Sequence, residues 1–164
     1  MRGVYVVEFA IIGALLFTLL LGVLDIGRLF FTVGALNEVV RRGARLAAVC
    51  QISDQDVLRR AIFNEAGEFG DGESRLIHSL EAADLSLTYL KDSGVPADPI
   101  TEFATVRFVQ ISISNFTFTT FITPLVRLLS SGSEFSGFTL PEFRAILPRE
   151  SLGFDGESEE PTPC

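Results

Sequence analysis

The chain of 164 residues is long enough for one ordinary domain and carries a net charge of -8. With one lysine it lacks the clustered cations that neutralising nucleic-acid phosphates requires, and 48% apolar residues exclude disorder over its whole length. A mean hydropathy of +0.38 beside that acidity points to two unlike populations averaged together.

The first population is at the N-terminus. Residues 4–24 read VYVVEFAIIGALLFTLLLGVL, with Glu8 as the single charge. A helix of that length spans about 30 Å, the thickness of a bilayer core. Arg2 and Glu8 cancel, so residues 25–164 hold the whole net charge. A cleaved secretory signal fits poorly. Its apolar core is shorter and ends in small residues, whereas here Asp25, Ile26, Gly27 and Arg28 follow. A carboxylate at mid-bilayer costs roughly 2.5–3.5 kcal/mol on insertion scales. Glu8 either snorkels to the headgroups from about one turn inside the helix, or pairs with a positive group.

The residues around Glu8 carry a family resemblance. Gly3, preceded by Arg2, is followed by Val4, Tyr5, Val6, Val7, Glu8 and Phe9. This resembles the processing motif of type IV prepilins and pseudopilins. Val7-Glu8-Phe9-Ala10 resembles the TadE-like proteins of the tight-adherence (Tad, or Flp) pilus system. Arg41-Arg42-Gly43-Ala44-Arg45-Leu46-Ala47-Ala48 resembles an Ala/Arg/Gly-rich stretch of that family. Residues 147–153, LPRESLG, are a weaker match.

The resemblance implies a minor pilin or pseudopilin rather than an enzyme. A prepilin peptidase would cleave after Gly3, leaving Val4 as the first residue and Glu8 as the fifth. The new α-amino group of one subunit would then meet Glu8 of its neighbour. In low dielectric such a pair attracts strongly while either charge alone is expensive. Glu8 and Phe9 are thus the expected assembly residues. The expected partners are the membrane, the peptidase, the major Flp pilin and other pseudopilins. The head would be periplasmic on an inner-membrane anchor, or carried into the extracellular pilus. The distribution of arginines conflicts with that topology. Arg28, Arg41, Arg42 and Arg45 follow the span and by charge alone favour a cytoplasmic head.

Beyond residue 24, Ile26, Leu29, Val33, Leu36, Val40, Gly43 and Ala47 form a stripe of helical period. The first proline is Pro96, so the helix is expected to run to about Val49, the alternative being a division near Gly22 or Gly27. A second helix is expected over 54–65, with Ser53 or Asp54 as its cap. The loop GEFGDGES at 67–74 lacks the EF-hand pattern. Strands are expected from Leu85, over 104–121 with slips in phase near Val109–Gln110 and Asn115, and over 138–146. Pro141 confines the last to an edge or a break. The tail from Glu150 is acidic and expected to be mobile.

His78 is the single histidine and Cys50 and Cys164 are the two cysteines, so no zinc set forms without carboxylates. No nucleotide fingerprint follows a strand, and neither metal, cofactor nor small-molecule substrate is expected. Outside the cytoplasm Cys50 and Cys164 are permitted to pair, which the chain-entropy model values at up to roughly 4.7 kcal/mol. The alternative is a buried free Cys50 and an exposed free Cys164.

The expected architecture is α+β and pilin-like: a long transmembrane-plus-amphipathic helix packed on a small antiparallel sheet. It divides into a leader (1–3), a membrane segment (4–24), a helical extension (25–49), a head (50–149) and an acidic tail (150–164). The alternative function is a membrane-anchored binding or chaperone module of a secretion or pilus apparatus that never polymerises.

Overall fold

The computed structural model describes residues 2–52, 54–64, 72–121 and 137–154. Its elements are α1 (Arg2–Val49), α2 (Gln55–Ala61), β1 (Leu85–Lys91), β2 (Val106–Ile113), β3 (Thr117–Phe118), β4 (Phe138–Thr139) and β5 (Phe143–Pro148), with single 3-10 turns at Ala82–Asp84 and Phe103–Thr105. The chain forms two compact units. One holds Met1–Val33 and Thr117–Leu140, the other Gly34–Phe116 and Pro141–Cys164.

α1 is one unbroken helix of 48 residues. Gly22 and Gly27 stay helical, since glycine weakens a helix interior by only about 1 kcal/mol and no proline interrupts the ladder. In the first unit β3 and β4 pair antiparallel, with Phe118 opposite Phe138. Ile26, the first residue of the expected stripe, is 56% exposed.

The second unit holds the core. Leu36, Val39, Val40, Ala44 and Ala47 on α1 are buried, as are Val57, Ile62, Leu80, Val106, Val109, Ile111 and Ile113. The sheet is antiparallel in the order β1-β2-β5. β2 supplies its central strand because its branched apolar residues alternate inward. The expected slip at Val109–Gln110 is absent, and those residues pair in unbroken register with both neighbours. The irregularity falls earlier. Lys91 faces Val106 while Leu90 faces Phe108, so Arg107 is the extra residue of a bulge. That bulge lets Val106 and Val109 share the buried side although three positions separate them. The later slip is a real break, where Asn115 takes a positive φ of 60° between β2 and β3. Pro141 likewise divides the expected last strand into β4 and β5.

α2 is shorter than its expected span. Asp54 caps it by accepting a hydrogen bond from the Asp56 N–H, and it ends at Ala61. Glu65 and the loop at 67–71 lie outside the described residues. Glu73, at the end of that loop, pairs with exposed His78 at 2.9 Å and accepts from the Ser79 N–H. Between β1 and β2, Lys91 meets Glu102 at 2.7 Å, which lowers the Glu102 pKa. The Ile100 N–H and the Thr101 hydroxyl lower that of Asp98.

Helix and sheet come close at Gly43. A Cβ there would lie 2.7 Å from Ile111 Cδ1 and 3.0 Å from Ala61 Cβ. The lack of a side chain at Gly43 therefore lets α1 approach β2 and α2. Gly43→Leu is expected to overpack this contact and destabilise the second unit by about 1–3 kcal/mol. Thermal unfolding of the variant beside Gly34→Leu checks this, because Gly34 has open space around it. Equal melting temperatures for the two would contradict the packing role.

Candidate functional site

The expected processing and assembly residues fall in the first two turns of α1. Gly3 and Val4 are helical, and Val4 is 60% exposed. Glu8 stands four residues after Val4, which places both on one helix face. Its side chain is exposed and makes no hydrogen bond or ion pair among the described residues. Phe9 beside it is 79% exposed. From Val4 to Leu24 every large apolar side chain except the half-buried Leu21 is exposed, and α1 is long and apolar enough to cross a membrane. An apolar patch of that size left in water would drive association.

One residue past this segment sits a cluster of which sequence reasoning found only the Asp25–Arg28 pair. Asp25 is buried, a costly place for a carboxylate without partners. Arg28, one turn later, reaches its Oδ1 at 3.3 Å, and the Phe121 N–H donates to the same oxygen at 2.9 Å. The Arg28 guanidinium also lies over the Phe121 ring at 4.2 Å and the Phe118 ring at 5.4 Å. Asp25 thus ties the chain at Phe121 to α1, and Arg28 both neutralises it and covers two rings. The i,i+3 spacing was legible in the sequence. The partner 96 positions away was not.

The other end of α1 is also fastened. A helix leaves its last carbonyls unpaired unless other groups satisfy them. Here the Glu150 and Leu152 N–H groups donate to the Ala48 carbonyl at 3.1 and 3.2 Å. The Gly153 N–H and the Ser151 hydroxyl donate to that of Val49. Gly153 has φ +80°, and a Cβ there would stand 2.6 Å from the Gln51 Cα. The segment LPRESLG, a weak signal in the sequence, is therefore the cap of α1. The chain from Glu150, expected to be mobile, is pinned as far as Gly153. Cys50, next to this cap, is buried and disulfide-bonded. Cys164 lies outside the described residues.

Of the four arginines after the span, Arg28 is half-buried in its cluster, and Arg42 is exposed with its guanidinium over Phe63. Arg41 and Arg45 are exposed beside β5 and, with Arg144, line a groove of about 370 Å3.

Residues 3–45 match the family model described as TadE-like protein. Over this segment the chain is similar to the TadE-like proteins. The matched residues contain Gly3, Val4, Glu8 and Phe9, the Asp25–Arg28 pair, and Gly43, which lies against Ile111 of the sheet. No curated protein and no solved structure matches the chain.

Asp25→Ala is expected to strip the Phe121 N–H of its acceptor and leave Arg28 without its counter-ion. The cost is about 1–3 kcal/mol, and hydrogen exchange at the Phe121 amide checks it. Exchange should accelerate in Asp25→Ala and less so in Asp25→Asn, which keeps an oxygen acceptor. Unchanged exchange in Asp25→Ala would contradict the tie.

Proposed function

We propose that this chain is a minor pilin or pseudopilin that takes part in assembling a Tad/Flp-type pilus for surface attachment. The TadE-like match supports a general role in pilus assembly. The observation that carries the finer reading is the state of Glu8. It is the one carboxylate in an exposed apolar helix face, one turn from Val4, with no partner among the described residues.

On this reading a prepilin peptidase cuts between Gly3 and Val4. The freed Val4 amine lies within the apolar layer, where an unpaired charge is expensive. Glu8 of an adjacent subunit neutralises it, and that pairing sets the axial register. Phe9 and its apolar neighbours exchange lipid contacts for contacts with other helices. The anchor lies in the inner membrane with the head on the periplasmic side, and the major Flp pilin and sister pseudopilins are the neighbours. In that oxidising compartment Cys50 pairs with Cys164, which adds a covalent tie at the end of α1.

Glu8→Ala is the test. The variant should accumulate in the membrane at the normal level, because an alanine there only removes a charge from an apolar span. Pilus assembly in the cells should fail. Normal piliation by Glu8→Ala would contradict the pairing and favour an anchored module that does not polymerise.

A further inference from the structure

We propose that the open edge of β5, with the arginines beside it, is a docking groove for an extended acidic segment of another polypeptide, which adds to the sheet as a fourth strand. This stands apart from the pilus reading and uses residues of the second unit alone.

The sheet has two edges, and they differ. Along β1 the chain covers the Tyr89–Lys91 end of its own edge. The Ala97 N–H donates to the Tyr89 carbonyl at 2.8 Å, and the Lys91 N–H to that of Val95 at 2.9 Å. Along β5 no such cover exists among the described residues. The bond from the Arg149 N–H to the Arg107 carbonyl sets the phase of the β2–β5 ladder. With the register Val109↔Leu147, Ile111↔Ala145 and Ile113↔Phe143, residues 145 and 147 turn their backbone groups toward β2. Arg144 and Ile146 therefore turn theirs outward, where they meet no partner among the described residues. Two donors and two acceptors stand there at the spacing of a strand.

The groove beside that edge is chemically one-sided. Its walls include Val40, Arg41 and Arg45 from α1 and Arg144, Ile146 and Leu147 from β5. The three arginines are exposed, and none has an ion-pair or hydrogen-bond partner among the described residues. Among the described residues no acidic side chain lines the groove, in a chain whose net charge is -8. An edge strand is commonly guarded against pairing by a charge or a proline, and Arg144 and Pro148 fit that description. Guarding does not require Arg41 and Arg45, which come from a different element and converge on the same strand. An edge that offers backbone donors and acceptors, an apolar floor and three guanidinium groups fits a strand with alternate carboxylates. Main-chain bonds would supply affinity, and the arginines the choice of sequence.

The test uses the full chain in detergent micelles and two short acetylated, amidated peptides. One alternates threonine with glutamate, the other threonine with lysine. Fluorescence anisotropy reads binding, and hydrogen exchange reads the Arg144 and Ile146 amides. The glutamate peptide should bind and protect both amides, and the lysine peptide should not bind. Arg41→Gln/Arg45→Gln should weaken binding roughly tenfold or more without moving the melting temperature. Four results would each overturn the proposal: no binding, equal binding of both peptides, binding that leaves the two amides unprotected, or binding that appears only once residues 155–164 are removed. The third would mark a simple anion site, and the last would assign the edge to the chain's own acidic tail.

Discussion

The first half of α1 shows its apolar side chains to the outside. Val4, Phe9, Ile12, Phe17 and Leu24 are all more than half exposed, and none belongs to the protein's own core. A soluble protein would not keep such a surface. This helix must find its apolar surroundings outside the chain, in a bilayer or among other helices. The proposed function supplies both in succession, since a pilin begins in the membrane and ends among its neighbours' helices. It needs no change of fold between the two states, only an exchange of what covers the helix.

The second half of α1 obeys the opposite rule. From Leu36 onward its inward residues are buried, and Gly43 lets it come close to β2. Two fastenings lie along the same helix. Asp25 accepts the Phe121 N–H just past the apolar stretch, and residues 150–153 satisfy the carbonyls at the helix end. One helix thus belongs to two environments, and each change of environment is marked by a polar contact with a distant part of the chain. Asp25 shows why. A carboxylate at that position is costly unless neutralised and hydrogen-bonded, and Arg28 and Phe121 do both.

What was legible in the sequence follows from range. The continuous helix, the cap at Asp54, the strand from Leu85 and the break at Pro141 rest on local periodicity, capping and backbone stereochemistry. The TadE-like segment was legible for the same reason, because its motif is contiguous. The bulge at Arg107 was expected two residues too late. The apolar pattern shows that a phase changes, while cross-strand pairing with β1 decides where. The Asp25–Phe121 bond, the cap by residues 150–153 and the arginine groove join positions far apart, and no single stretch encodes them. Gly43 lies between. Its motif was visible, but its physical reason, that Ile111 leaves no room for a Cβ, needed the fold.

The central claim is that α1 is made to be freed at Val4 and then packed through Glu8. The first residue of the protein, purified both from membranes and from material sheared off the cell surface, tests it most directly. The account predicts that N-terminal sequencing reads Val4, Tyr5, Val6, Val7, Glu8 in both fractions. An intact Met1 in the membrane fraction, with no protein at the surface, would contradict it.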